Sequence, residues 1–177
     1  MDYLTKPATR EQIREFASVF RELFGIPLAG RFPVLEVLEK FHSKFPTFHY
    51  EVVDDDELPI SVPAQCDVGT DGSFVMKIRQ SIYDGAYKKE IGAYRDHILH
   101  ELCHVFLYSI GFTPVIQRSF RNGTIPNCRS AEWQAKALCG EIMIPYEKSD
   151  DMNVEEIQKT YGVSKAQAEY RKYYICE

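Results

Sequence analysis

Apolar residues recur at helical spacing from Thr9 to Phe24, where Ile13, Phe16, Phe20, Leu23 and Phe24 share one face and Ala17 fills it. Thr9 and Gln12 stand at capping-box spacing at the start of this run, and Gly25 with Pro27 stops it. A second helix is expected from Pro33, whose fixed φ suits a first turn, through Val34, Leu35, Leu38 and Phe41 to the break at Phe45-Pro46. Together the two predict a helical hairpin over residues 1–47.

The period then changes. Phe48 to Val53 is dense in aromatic and β-branched residues and ends at the acidic run Asp54-Asp55-Asp56-Glu57, the pattern of a strand closed by a solvated turn. Phe74 to Ile78 reads as a second strand after the turn signal Asp71-Gly72, and the chain between them, punctuated by Pro, Asp and Gly, reads as loop. From about Lys88 to Ser109 the stripe Ile91, Tyr94, Ile98, Leu102, Val105 predicts the longest helix, with Gly111 and Pro114 beyond its end. A polar, irregular stretch from Gln117 to Arg129 leads to Ser130, a good N-cap, and to a short apolar helix ending at Pro145. In the tail, Asn153 with Glu156 and Ser164 with Gln167 give two capping-box spacings around Tyr161-Gly162-Val163, hence helix, tight turn, helix over residues 146–177. The expected class is α+β, mostly helical, with a small sheet.

Composition narrows the picture. A chain of 177 residues suits one domain with one core. Its 21 Lys and Arg against 26 Asp and Glu leave a net charge of −5, which argues against a surface built to track nucleic-acid phosphates. The first residues carry charges and a proline where a secretion signal would be apolar, and no apolar run reaches the ~20 residues that span a bilayer. A cytoplasmic protein without a membrane segment is the expectation. The scattered Cys66, Cys103, Cys128, Cys139 and Cys176 lack any CxxC pair and read as reduced thiols.

Chemistry concentrates in the long helix, at His100-Glu101-Leu102-Cys103-His104. Residues four apart on a helix differ by only about 40° around the axis, so both imidazoles face one way and can grip one cation. Glu101 lies about 100° from His100, off the ligand face but able to reach a water beside it, which is the position of a general base. Apolar Ile98, Leu99, Val105 and Phe106 imply that this helix is mostly buried, where unpartnered polar groups would be costly. A catalytic metal needs a third protein ligand, and Glu132, two residues after the Ser130 cap, is the leading candidate. An acid in a helix's first turn can also be there for the macrodipole alone.

The run Glu132 to Pro145, EWQAKALCGEIMIP, resembles the ExxAxxFAxxLLMP signature of the ImmA/IrrE family of metallopeptidases, downstream of an HExxH as that family requires. The likeness extends from about Phe74 to Tyr170. It implies a zincin-like fold with the sheet beside the HExxH helix and a core over residues 48–145. It further implies zinc held by His100, His104 and Glu132, with Glu101 as base. Leu138 replaces the family's usual Phe, and Cys103 replaces the Gly of HELGH-type members. Family members are commonly regulatory proteases of bacteria and mobile elements, some acting on a helix-turn-helix repressor, so a protein substrate of that kind is what the resemblance implies.

Alternatives stand beside these readings. His97, three residues before His100, shares its face and could pair with it, but lies about 10 Å along the axis from His104, so all three cannot hold one ion. A supporting or substrate-contacting role for His97 is the other option. His42 and His49 have no ligand spacing. Cys103 reads as a packing residue, with oxidation sensing or narrowing of the cleft as alternatives. In thermolysin-like enzymes an Asp four residues after the ligand Glu orients a histidine; Lys136 stands there, leaving that partner open. Lys165, Arg171 and Lys172 would give a helix-turn-helix some positive charge, but acidic Asp150, Asp151, Glu155 and Glu156 around the first tail helix favour a packing hairpin over DNA binding. A non-catalytic, zinc-stabilised module that sequesters a transcriptional regulator is the competing function.

Overall fold

A computed structural model describes residues 2–89, 91–115 and 125–174. Most of the irregular stretch expected from Gln117 to Arg129, and Cys176, lie outside the described residues; within them, Asn127–Arg129 form a single 3₁₀ turn.

The first helix, α1 (Arg10–Leu23), starts where the pattern predicts, with Thr9 and Gln12 forming both halves of a capping box. In α2 (Val34–Lys44) Pro33 is the residue before the first turn, at φ −85° and ψ 74°, and not the first helical residue itself. The rings of Phe20 and Phe24 meet Phe41 of α2.

Strand β1 (Phe48–Val53) appears as expected. The intervening segment, anticipated as loop, contains β2 (Ala64–Val68). Its sequence, AQCDV, offers one clear apolar face at most, and only pairing with a neighbour reveals it. Strand β3 (Phe74–Arg79) is the centre of the sheet, parallel to β1 and antiparallel to β2, in the order β1-β3-β2.

The helix anticipated over Lys88 to Ser109 is α4 (Gly92–Ser109), and a helix that the pattern did not predict, α3 (Gln80–Lys88), precedes it and takes Lys88 as its last residue. Beyond α3 the Ile91 N–H returns to the Gly85 carbonyl. Gly85 sits where a side chain would collide with the Tyr94 ring, so the residue that weakens a helical reading of α3 is what lets α4 pack against it.

Helix α5 (Ala131–Met143) is capped by Ser130, whose Oγ accepts the Trp133 N–H. A four-residue turn, α6 (Tyr146–Ser149), precedes α7 (Val154–Tyr161) and α8 (Lys165–Tyr174), and Gly162 ends α7 in the left-handed conformation at φ 63°. The fold is α+β, with α4 against the sheet on one side and against α5 on another, while α1 lies along α5. Buried Ile98, Leu99, Leu102, Leu138 and Ile142 fill the α4–α5 region of the core. No helix among the described residues is long and apolar enough to cross a membrane.

Two buried charges tie the tail to this frame. Arg95 of α4 donates to the Gly162 carbonyl, and Arg171 of α8 makes a two-pronged contact with Glu141 of α5 at 2.9 and 3.0 Å. Arg171 thus faces the core, and Lys172 donates to the Asp150 carbonyl.

Candidate metal centre

Helix α4 sets His100 and His104 one turn apart, and their Nε2 atoms lie 3.1 Å from each other. The first turn of α5 brings Glu132 to the pair: Oε2 is 3.3 Å from His100 Nε2, and Oε1 is 3.5 Å from His104 Nε2. These three residues form a group able to hold a metal ion, with candidate ligand atoms all within 4.8 Å of one another. A tetrahedral zinc with bonds of about 2.0–2.1 Å would set its ligand atoms about 3.3 Å apart, so the donors fit such an ion in spacing and in chemistry. Zinc is one ion this set suits; the residues alone do not select it over other borderline metals.

The electrostatics follow from the same contacts. Hydrogen-bonding contacts with His100 and His104 hold the Glu132 carboxyl well below its usual range despite partial burial. Burial disfavours a charged His100, but its contact with Glu132 and the charges of Glu101, Glu132 and Asp96 outweigh that and raise its pKa above the ordinary imidazole value. Burial raises the Glu101 carboxyl, against the opposing pull of the two imidazoles. Its Oε2 accepts the Cys66 backbone N–H of β2 at 3.0 Å, which fixes the carboxylate between helix and sheet.

The group opens onto a cleft of about 1000 Å³. Its walls include the whole of β2 with the preceding Ser61, Val62 and Pro63, and also Phe74, Val105, Tyr108 and Phe112. The side chains of His100, His104 and Glu132 are 23, 26 and 48% exposed, so the site is reachable from solvent, unlike a sealed structural site.

The sequence-predicted residues fall into place unevenly. His100, His104 and Glu132 converge, and Glu101 lies beside them. His97 is exposed and lines the cleft but stands outside the metal-binding group. Cys103 is buried in the core and does not line the cleft; it adjoins Cys139, whose thiol is pushed well up by that contact, by burial and by Asp96. Cys66, Cys103, Cys128 and Cys139 are all free thiols, and burial chiefly pushes that of Cys66 up to about 12. Sequence reasoning missed Asp96, whose charge acts on His100; its place four residues before that histidine was the available signal. The Cys66 amide carried no sequence signal, because any residue of β2 would supply the same N–H.

Comparison with protein-family models, with curated proteins and with solved structures finds no match to this chain. The likeness to the ImmA/IrrE signature therefore rests on the residues that carry it.

Proposed function

We propose that this protein is a metal-dependent peptidase, with His100, His104 and Glu132 as ligands of a zinc ion and Glu101 as general base. The observation that carries this reading is the arrival of Glu132, from a separate helix, at hydrogen-bonding range of both imidazoles on the floor of an open cleft. A zinc ion held there would supply a Lewis acid that polarises a carbonyl and makes water more acidic. Glu101 is tethered through Oε2 to the Cys66 amide, which orients Oε1 to take a proton from the attacking water and return it to the leaving amine. Its raised pKa brings it nearer the range in which it can do both.

The shape of the cleft favours a peptide. Among the described residues β2 is a sheet edge, and an extended chain laid along it could continue the ladder while its side chains meet the apolar residues that line the cleft. A helix-turn-helix repressor is the substrate that the family likeness suggests. The inward-facing Arg171 weighs against DNA as a direct partner. The zincin-like relationship and a cytoplasmic location belong to the same reading.

The test is metal analysis of wild type and Glu101→Gln, each then incubated with a mixed peptide library and with any repressor encoded beside the gene. About one zinc per chain in both proteins is expected, with new peptide termini produced by wild type alone. Cleavage by Glu101→Gln at the wild-type rate would remove Glu101 as base. Repressor release by both proteins without cleavage would support the sequestering module instead.

A further inference from the structure

Glu132 differs from the other two ligands in how it is held. The histidines sit mid-way along an 18-residue helix among buried neighbours, whereas Glu132 is in the first turn of α5 with its side chain half exposed. First-turn N–H groups have no partner within their own helix, and such turns fray unless something outside satisfies them. Here residues 2–3 do so for the Ala131 and Glu132 N–H groups and also hold the hydroxyl of the Ser130 cap. The Asp2 carboxylate accepts the Ser130 hydroxyl at 2.7 Å through Oδ2 and the Glu132 N–H at 3.2 Å through Oδ1, and the Tyr3 carbonyl accepts the Ala131 N–H at 2.9 Å. Asp2 Oδ1 also accepts the Tyr3 N–H at 2.8 Å, so the carboxylate is itself fixed. The segment continues as a strap: the Thr5 N–H donates to the Arg129 carbonyl, the Ala8 N–H to the Cys128 carbonyl, and the buried Gln134 amide to Lys6 and Cys128.

We propose that Asp2 is a positioning residue for the metal centre: by clamping the Ser130 hydroxyl and the Glu132 amide it fixes the backbone from which the third ligand reaches the two histidines. The proposal rests on Glu132 being a ligand. Groups that orient a ligand without touching the metal commonly govern affinity about 10- to 100-fold, because an unfixed ligand must be ordered at the moment of binding. Asp2 does this from the far end of the sequence, bonded to a position 130 residues away.

Zinc affinity measured by chelator competition on Asp2→Ala, Asp2→Asn and Glu132→Ala, with melting of each metal-free protein alongside, tests this. Asp2→Ala is expected to weaken zinc binding about tenfold or more, while the metal-free protein melts within a few degrees of wild type. Asp2→Asn keeps an oxygen for the Glu132 N–H and is expected to stay within about threefold of wild type. Wild-type affinity in Asp2→Ala together with a large loss in Glu132→Ala would overturn the clamp and leave the ligand reading intact. Equal losses in Asp2→Asn and Asp2→Ala would also overturn it, since the effect would then be one of charge. Undiminished affinity in Glu132→Ala would overturn the ligand reading, and the clamp with it.

Discussion

Helix α5 carries a glutamate near each end, and the two have opposite surroundings. Glu132 is half exposed and faces two imidazoles across 3.3 and 3.5 Å. Glu141 is 1% exposed and is surrounded by guanidinium groups: Arg171 at 2.9 Å, Arg14 at 3.4 Å and Arg10 at 3.9 Å. A carboxylate saturated by fixed cations inside a core has nothing left to offer a ligand, and its removal leaves charges buried without a partner. A carboxylate beside two rings that can shed their protons, open to solvent, keeps its donor capacity for an ion from outside. The difference lies in the neighbours, since the residue type and the helix are the same.

The largest effect expected is at the buried end. Glu141→Ala or Arg171→Ala should cost about 3–5 kcal/mol in urea unfolding of the metal-free protein, while the folded fraction binds zinc with wild-type affinity. A mild effect on stability there, or a loss of zinc binding, would break the contrast. At the open end the assignment reverses: Glu132→Ala should lower zinc affinity on the order of 100-fold, and should cost the metal-free protein less than Glu141→Ala does because the solvent around the half-exposed carboxylate screens its contacts. Chelator competition and melting curves on the same samples read both quantities.

Changing pH separates the metal-free from the metal-loaded site. The Glu132 carboxyl is depressed below its ordinary 4.5, so its contribution to metal-free stability is present above that value and is lost as pH falls through the folded-state pKa. The His100 imidazole is raised above its ordinary 6.5, so its contribution is present below 6.5 and is lost as pH rises through the folded-state pKa. The pair therefore stabilises the metal-free protein most between 4.5 and 6.5. Zinc needs neutral imidazoles, so the rise in melting temperature on adding zinc should grow through neutral pH and fall away on acidification, about tenfold in affinity per unit for each proton displaced. A zinc-induced shift independent of pH between 6 and 8 would argue that His100 is not a ligand.

Smaller effects sharpen the comparison. Ser130→Ala removes the cap beside Glu132 and should cost about 1 kcal/mol in urea unfolding. Arg14→Ala, at the accessible rim of the Glu141 cluster with its guanidinium 3.7 Å from the centre of the Tyr146 ring, should cost no more than about 1 kcal/mol. A cost for Arg14→Ala equal to that for Arg171→Ala would mean that burial is not what distinguishes the two arginines.

Much of the local structure was legible because its causes are local. Thr9 with Gln12 and Asn153 with Glu156 close capping boxes within one turn, and Ser130 starts α5 where the pattern places it. The failures have tertiary causes. β2 is an edge strand of mixed polarity whose pairing with β3 is absent from its own sequence. α3 has a glycine mid-helix because a tyrosine from α4 needs the space, and the pattern along the chain did not predict α3, leaving only its last residue, Lys88, inside an expected helix.

The sequence by itself determined the two histidines of the site, because an HExxH on a helix sets their relation through the helix's own geometry over five residues. It also put Glu132 in the first turn of a helix. Only the tertiary structure decided that this turn lies across from the histidines, that the β2 edge gives an amide to Glu101, and that Asp2 returns from the start of the sequence to hold the third ligand's backbone. Those contacts join segments about 30 or more residues apart, and no periodicity within one helix or strand encodes a relation between helices or across a sheet.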